Sequence, residues 1–338
     1  MPLNHQILLV SRPTAQAGVD NFQLVETQTP ALQDGQVLVR NHYLSLDPYM
    51  RGRMNDSRSY AAAQPLNEVM GGGTAGEVVE SRCDRYRPGD LVVGMGGWQE
   101  YSVLDGTRPG VLRKVDTTHV PLSYYLGAVG MPGVTAWHGL VRICEAQAGQ
   151  TVVVSAATGA VGSAFAALSR ARGCRTVGIA GGPDKCSYAT GELGFDACID
   201  YKAHADAASL SKALKKACPD GIDGYFENVG GQVLDAVLPR MNVFGKIAVC
   251  GMISGYDGAP IPMANPQWIL ISRLKLQGFI VGEHMQDWPP ALQELAALVK
   301  DGKLRPRETV SQGLASAPEA FLGLLRGRNV GKQLVRMV

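Results

Sequence analysis

The sequence predicts an α/β protein of two domains, in which a doubly wound parallel sheet accompanies an irregular β-domain. Its 338 residues exceed twice the length of an ordinary domain, and 46% hydrophobic against 18% charged residues suffice for a buried core. Six short apolar segments alternate with helical patterns between residues 151 and 281, as in parallel α/β sheets. Residues 1–125 instead show short apolar runs separated by glycine and proline turns.

The first part of the chain is therefore expected to be an antiparallel β-domain. Its apolar and β-branched runs are too short for helices, and turn sequences such as Pro88-Gly89-Asp90 separate them. Strands are predicted at residues 6–11, 36–43, 73–80, 90–95 and 98–104.

The rhythm changes near residue 127, where strands begin to alternate with helices. Strands are predicted at residues 151–157, 175–180, 197–199, 224–227, 246–250 and 274–281, which together form a parallel sheet. After a predicted helix at 290–300, the tail returns to β character, with strands at 309–312 and 331–337 around a helix at 317–325. We therefore predict a first domain at 1–126, a second domain at 127–300, and a tail at 301–338 that rejoins the first domain.

The strongest local signal is a strand, a glycine turn and a helix between residues 151 and 168. The turn has the pattern A-x-G-x-x-G, in which Ala157 replaces the usual first glycine. Small residues let backbone amides at a helix N-terminus approach a pyrophosphate group. The simpler alternative is a glycine turn that only packs a helix on a strand. The residues of the turn expected to hold pyrophosphate are Gly159, Ala160, Val161 and Gly162.

Cofactor preference is predicted from the end of the second strand of this unit. An NAD site usually presents a carboxylate there, about 20 residues after the glycines. Residues 180–183 contain no acidic side chain, and Lys185 follows closely. A 2′-phosphate would meet a cation, so the sequence favours NADP(H) over NAD(H), with Asp184 interpreted as a helix N-cap.

Three further segments follow predicted strands and should face the same ligand, since parallel sheets bind ligands beyond the carboxyl ends of their strands. Each contains glycine, which permits close approach of the backbone. The segments are residues 228–231, 250–256 and 279–282.

Composition excludes several other classes of protein. A net charge of +2 gives no basic field for nucleic acid. Seven scattered cysteines without paired spacing indicate reduced thiols in the cytoplasm, and residues 1–10 do not resemble a secretory signal. Two uncharged stretches, 121–141 and 151–169, are broken by glycine or proline, so no membrane span is expected.

The sequence also argues against a bound metal. A catalytic zinc ion needs three cysteine, histidine or carboxylate ligands, and a structural one needs four closely spaced cysteines. Only Cys83 lies in the first 125 residues, and residues 69–72 contain no His-Glu pair. His138 and His284 are solitary in sequence and are interpreted as structural.

Five sequence blocks in consistent order resemble the medium-chain dehydrogenase/reductase superfamily, with a GroES-like first domain and a Rossmann second domain. The match is to its zinc-independent leukotriene/prostaglandin reductase branch, and residues 51–62 look most like the bacterial NADPH-dependent curcumin reductases. The resemblance implies NADPH-dependent reduction of the carbon–carbon double bond of α,β-unsaturated ketones or aldehydes. The blocks are residues 46–51, 130–136, 159–162, 227–231 and 329–332.

The resemblance further implies the residues around the cofactor and a homodimer through the strand at 274–281. Lys185 and Tyr201 would meet the 2′-phosphate, and Met131 and Thr135 would lie near the nicotinamide. The whole expected set is Met131, Thr135, Gly159, Ala160, Val161, Gly162, Gly181, Lys185, Tyr201, Asn228, Cys250, Gly251, Ile253, Ser254, Tyr256, Phe279, Ile280, Val281 and Asn329.

The reaction requires a hydrogen-bond donor where negative charge develops on the substrate's carbonyl oxygen. Tyr256 is the first candidate, the ribose hydroxyl of the cofactor is an alternative, and Tyr49 and Tyr60 are second-line candidates. Two other functions stay open: a quinone reductase with the same fold and cofactor, and a protein that binds NADPH without catalysis.

Overall fold

The computed structural model describes residues 2–337, which divide into two compact units. The first unit takes in the chain up to Gly127 and again from Glu308 onward, and the second unit is the continuous stretch Ala128–Arg307. Within the described residues, no helix is both long and apolar enough to cross a membrane.

Strands and α-helices are numbered along the chain. The strands are β1 Leu3–Leu9, β2 Phe22–Gln28, β3 Gln36–Ser45, β4 Glu68–Val69, β5 Thr74–Ser81, β6 Leu91–Gly94, β7 Tyr101–Asp105, β8 Leu112–Lys114, β9 Thr151–Ser155, β10 Arg175–Ala180, β11 Ala197–Asp200, β12 Ile222–Glu227, β13 Met241–Val249, β14 Lys275–Gly278, β15 Glu308–Gln312 and β16 Lys332–Arg336. The helices are α1 Tyr49–Arg53, α2 Met131–His138, α3 Ala160–Ala171, α4 Pro183–Gly191, α5 Ala207–Ala217, α6 Gly231–Val237, α7 Gln267–Ile271, α8 Trp288–Lys300 and α9 Ala317–Leu325.

The first unit consists mainly of β-strands in two sheets. One sheet has the order β2-β1-β4, and the larger has the order β15-β16-β3-β5-β6-β8, with β7 also paired to β3. Aromatic side chains fill its core: Phe22 stacks on Trp98 with ring centroids 5.3 Å apart, and Phe321 meets Trp98 edge-on at 5.7 Å. The predicted antiparallel β-domain is confirmed for most of its strand pairs. The pair β15–β16 departs from the prediction, because these two strands run parallel.

The second unit contains a six-stranded sheet in which every neighbouring pair is parallel. Its strand order is β11-β10-β9-β12-β13-β14. The chain therefore builds outward from β9 in one direction and then from β12 in the other, which is the doubly wound arrangement. Strand β9 is buried along its whole length, as its unbroken run of threonine, valine and serine predicts for a central parallel strand. The predicted Rossmann fold is confirmed.

Candidate dinucleotide site

The switch in strand order places a ligand crevice beyond the carboxyl ends of β9 and β12. Ser155 ends β9 and Glu227 ends β12, and both side chains are fully buried. The segments at 156–162, 228–231 and 250–256 all leave strands at this edge of the sheet. The structure thus brings together three of the segments that the sequence assigned to a ligand.

The glycine turn after β9 is closely packed. A side chain at Gly162 would place its Cβ 2.4 Å from the carbonyl oxygen of Ala157, which no residue other than glycine can avoid. Helix α3 begins at Ala160, with Gly159 in extended conformation just before it. The amides of the first helical turn are therefore held against the end of β9, where a phosphate group could accept their hydrogen bonds.

Ala157 stands where the dinucleotide motif usually has its first glycine, and the neighbouring strand β10 leaves space for its methyl group. Its methyl group is fully buried, and a Cβ at Gly178 on β10 would lie 2.8 Å from it. Gly178 thus provides the space that the motif normally gains from its own glycine. Sequence reasoning did not identify this glycine, because nothing in the sequence places residues 157 and 178 side by side.

Two lysines and a tyrosine surround the end of β10. A Cβ at Gly181 would lie 2.9 Å from the ring of Tyr201 and 3.1 Å from Cε of Lys202, so both side chains cover this glycine. Burial, and after it the charge of Lys202, lowers the pKa of Lys185. The nearby Asp200 carboxylate accepts hydrogen bonds from the amides of Gly182 and Lys202, at 2.7 and 3.0 Å. The arrangement fits an anion, and Lys202 is a member of it that the sequence did not suggest.

The turn after β12 is fastened to β9 by side chains. The Asn228 side-chain amide donates to the Ser155 carbonyl oxygen at 2.8 Å, and its backbone amide donates to Ser155 Oγ at 2.8 Å. Ser155 Oγ in turn donates to Glu227 Oε1 at 2.9 Å. Neither Ser155 nor Glu227 was among the expected site residues. The sequence did contain a signal for Glu227, which is a charged residue at the end of the apolar run Tyr225-Phe226.

The loop at 250–256 is tied to the same turn. The amides of Cys250 and Gly251 donate to the Glu227 carbonyl oxygen, and the amide of Ile253 donates to that of Asn228. Ser254 binds the Val229 carbonyl oxygen through both its amide and its hydroxyl, at 3.1 and 2.6 Å. A Cβ at Gly251 would lie 3.0 Å from the Tyr256 hydroxyl, so that hydroxyl folds back over the start of its own loop.

The residues expected near the nicotinamide lie on α2, and another segment expected to border the cofactor follows β14. Thr135 is buried, and its hydroxyl donates to the Met131 carbonyl oxygen at 2.8 Å. The Phe279 ring lies 5.0 Å from that of His138, at the end of α2, and 6.1 Å from that of Phe226 on β12. Phe279 therefore connects α2 with the segment that contains Ile280 and Val281.

Three expected residues belong to the first unit. Tyr49 is the first residue of α1 and half-buried, whereas Tyr60 is 60% exposed. Burial, and after it the charge of Asp47, raises the pKa of Tyr49, and Tyr60 contributes in the same direction. The Asn329 side-chain amide donates to the Gly331 carbonyl oxygen at 2.7 Å, which shapes the turn before β16.

One cluster of potential metal ligands occurs within residues 2–337: the ligand atoms of His138, His284 and Asp287 lie within 4.8 Å of one another. Asp287 already pairs with His138 Nδ1 at 2.8 Å and accepts two hydrogen bonds from Arg142. The two histidine rings stack with centroids 4.1 Å apart. Because the arginine neutralises the carboxylate, we interpret the cluster as a structural ion pair next to Phe279.

Comparison with known proteins agrees with this geometry. A model described as the N-terminal domain of oxidoreductase matches residues 5–112, and one described as zinc-binding dehydrogenase matches residues 160–297. The chain is 43% identical to the NADPH-dependent curcumin reductase of Escherichia coli (strain K12), over 99% of this chain and 97% of that protein. It is 45% identical to a 2-alkenal reductase (NADP(+)-dependent) of Nicotiana tabacum, over 88% and 86% of the two chains.

A solved structure is also closely similar to this chain in fold. The crystal structure of CurA in complex with NADPH from Vibrio vulnificus aligns with a TM-score of 0.91 and 42% identity, over 99% of both chains. Identity at this level along the whole length, together with the two matched domains, leads to one conclusion. The chain belongs to the medium-chain dehydrogenase/reductase family, in the branch that includes the curcumin, 2-alkenal and prostaglandin reductases.

Proposed function

We propose that this protein uses NADPH to reduce the carbon–carbon double bond of α,β-unsaturated ketones or aldehydes. Its similarity to reductases named for curcumin and for 2-alkenals supports this substrate class. The observation that carries the proposal is the anion site at the end of β10, formed by Lys185, Tyr201 and Lys202 at the same sheet edge as the glycine turn. It fits a dinucleotide that bears a 2′-phosphate.

The residues that would hold the cofactor follow the carboxyl edge of the second unit's sheet. The first turn of α3 would bind the pyrophosphate through backbone amides. The turn at Asn228, the loop at 250–256 and the segment at 279–281 would border the remainder, with Met131 and Thr135 on α2. The assignment of Asn329 to the cofactor site stays a prediction from the sequence. Bound NADPH supplies the hydride.

The chain's own contribution to chemistry is proposed to be a donor for the substrate oxygen. Addition of hydride to the β-carbon turns an enone into an enolate, which becomes the saturated ketone when its α-carbon takes up a proton. A hydroxyl aimed at the oxygen stabilises the developing charge. Tyr256 is proposed for this role because its hydroxyl lies over Gly251, beside the segment that leaves β13. Tyr49 and Tyr60 are proposed to shape the substrate pocket. None of the tyrosines proposed for this reduction needs a bound metal ion.

The decisive experiment measures NADPH consumption with enones of graded chain length and identifies the products. We expect a saturated ketone or aldehyde, with the carbonyl retained. An allylic alcohol would contradict the proposal. Faster turnover of quinones than of any enone would favour a quinone reductase, and tight NADPH binding without turnover of either class would favour a non-catalytic role.

Replacement of the two lysines tests the 2′-phosphate site. We expect Lys185→Ala and Lys202→Ala each to weaken NADPH binding by about tenfold, because each removes a charged hydrogen bond worth about 1.5–3 kcal/mol. The affinity for NADH should stay within about twofold. Titration of both nucleotides by fluorescence gives the two dissociation constants. Lys212→Ala on α5 is the matched control, and equal losses for NADPH and NADH would refute the assignment.

We also propose that two copies of the chain associate through β14. Within the described residues this strand pairs with β13 alone, so its other edge is open to a partner. Exposed apolar side chains flank it, including Phe244 at 68% and Leu270 at 80% exposure. We expect Leu270→Asp to shift a dimer toward monomer in sedimentation velocity, whereas Leu24→Asp on β2 should not. A monomeric wild-type protein at micromolar concentration would refute the proposal.

We propose a cytoplasmic location because the cysteines form no disulfide bonds. All seven are free thiols in the structure, in agreement with a reducing compartment. Fractionation of cells that express a tagged protein would test this, and recovery outside the cytoplasm would overturn it.

A further inference from the structure

Glu227 is the most deeply buried carboxyl group at the dinucleotide edge of the second unit, and neither the proposed cofactor contacts nor the proposed reaction uses it. It has no exposed surface, and none of the ion pairs within residues 2–337 includes it. A buried charge without a partner is costly, so its presence at this position needs an explanation.

The contacts of Glu227 connect the ends of three neighbouring strands. Its Oε1 accepts from the Ser155 hydroxyl at the end of β9, at 2.9 Å, and from the amide of Val229, at 2.6 Å. Its carbonyl oxygen accepts from the amides of Cys250 and Gly251, just after β13. One residue thereby holds the turn at 228–230 and the start of the loop at 250–256, the two segments proposed to border the cofactor.

The second carboxyl oxygen can carry a proton without breaking any of these hydrogen bonds. Glu227 Oε2 is buried and makes no hydrogen bond. The Tyr225 hydroxyl is likewise buried without a hydrogen-bond partner. Oε1 already accepts two hydrogen bonds, as a carbonyl-type oxygen can, and a proton on Oε2 would complete a neutral carboxylic acid. Burial raises the pKa of Glu227, which agrees with that assignment.

We propose that Glu227 is a positioning residue for NADPH and that it acts as a neutral carboxylic acid. It fixes the backbone of Asn228–Gly230 and of the 250–256 loop without placing a negative charge beside an anionic cofactor. This inference rests on the proposed function only in taking NADPH as the ligand, and it does not depend on the reduction of any enone.

Two titratable groups face Glu227, and neither changes charge near neutral pH. Burial is the main cause that raises the pKa of Tyr225 well above its usual value and the pKa of Cys250 to about 12. Lys185 at the adenosine end has a lowered pKa and can titrate on the alkaline side. The effect of Glu227 must therefore be measured as a difference between the wild type and Glu227→Gln, in which Lys185 is unchanged.

The experiment measures the NADPH dissociation constant by fluorescence from about pH 7 to pH 9.5, a range in which the 2′-phosphate is largely a dianion. In Glu227→Gln the amide oxygen can accept both hydrogen bonds, and no charge can form. We expect the ratio of the wild-type to the Glu227→Gln dissociation constant to rise with pH, by at most about tenfold per pH unit. Glu227→Leu should bind NADPH at least about tenfold more weakly than Glu227→Gln at pH 7, since the Ser155 and Val229 donors lose their acceptor.

Asp223→Asn is the matched control. Asp223 lies at the opposite end of the same strand, where its carboxylate accepts from the amide of Thr151 on β9 at 2.9 Å. Its replacement should leave the NADPH dissociation constant and its pH dependence as in the wild type. A purely structural role for Glu227 would lower thermal stability and leave the dissociation constant unaltered.

The outcomes separate the parts of the inference. A ratio that is flat across the pH range overturns the neutral form, and a Glu227→Leu protein that binds NADPH like Glu227→Gln overturns the positioning role. If Glu227→Leu does not fold, Ser155→Ala takes its place, because it removes the donor to Oε1 and the acceptor for the Asn228 amide. Wild-type protein that binds no NADPH would refute the proposed cofactor itself.

Discussion

Lys332→Met is expected to destabilise the first unit by about 3–5 kcal/mol, because it leaves the buried Asp47 carboxylate without its cation. Lys332 is almost wholly buried, and its Nζ donates to the Leu46 carbonyl oxygen at 2.6 Å and to Asp47 Oδ1 at 3.1 Å. The other carboxyl oxygen of Asp47 accepts from the Ser45 hydroxyl. Urea unfolding, monitored by tryptophan fluorescence, gives the change in unfolding free energy.

Two further variants make this result specific. Lys114→Met removes an exposed ion pair with Asp90 in the same unit and should cost no more than about 1 kcal/mol. The double variant Asp47→Leu with Lys332→Met should recover more than half of the loss, since neither charge then remains buried. A loss for Lys332→Met no larger than that for Lys114→Met would contradict the expectation.

Tyr256→Phe is expected to lower kcat for a good enone by about 10²-fold, the usual effect of removing one donor to a developing oxyanion. The phenyl ring keeps its packing in the loop, so the dissociation constant for NADPH should change by less than about threefold. Single-turnover measurement of NADPH oxidation separates the chemical step from product release.

Tyr188→Phe serves as the control for this substitution. It also removes a hydroxyl from the second unit, where that group accepts a hydrogen bond from the amide of Arg307 at 2.7 Å. Its kinetic constants should match those of the wild type. If Tyr256→Phe retained full kcat and kcat/KM, Tyr256 would be excluded as the essential donor, and the ribose hydroxyl would become the leading candidate.

Local sequence patterns were sufficient for much of the fold. Strand β10 and helix α9 begin and end at the predicted residues, since apolar periodicity and flanking turn residues agree there. Strand β2 was not predicted because Phe22 is its single buried residue, and the strand lacks the alternation by which a half-buried strand is detected. Strand β13 begins five residues earlier than expected, at Met241, because glycine and asparagine within it suggested a turn.

The site divides in a similar way. Glycines and the lysine after β10 follow motifs that extend over a few residues, so the sequence alone indicated them. Lys202, Gly178 and the Ser155–Glu227 pair act through contacts between strands that are distant along the chain, and Ser155 and Glu227 are 72 positions apart. Periodicity and spacing contain no information about such contacts, and only the folded sheet shows them.

The position of β16 in the larger sheet has a consequence for the order in which the protein forms during synthesis. This strand lies between β15 and β3, so the sheet is interrupted until residues 332–336 have left the ribosome. The six-stranded sheet of the second unit needs nothing beyond residue 278. The nascent chain can therefore complete the parallel sheet first, while β3 pairs only with β5 and β7 and the Asp47 carboxylate waits for a lysine that is translated 285 residues later.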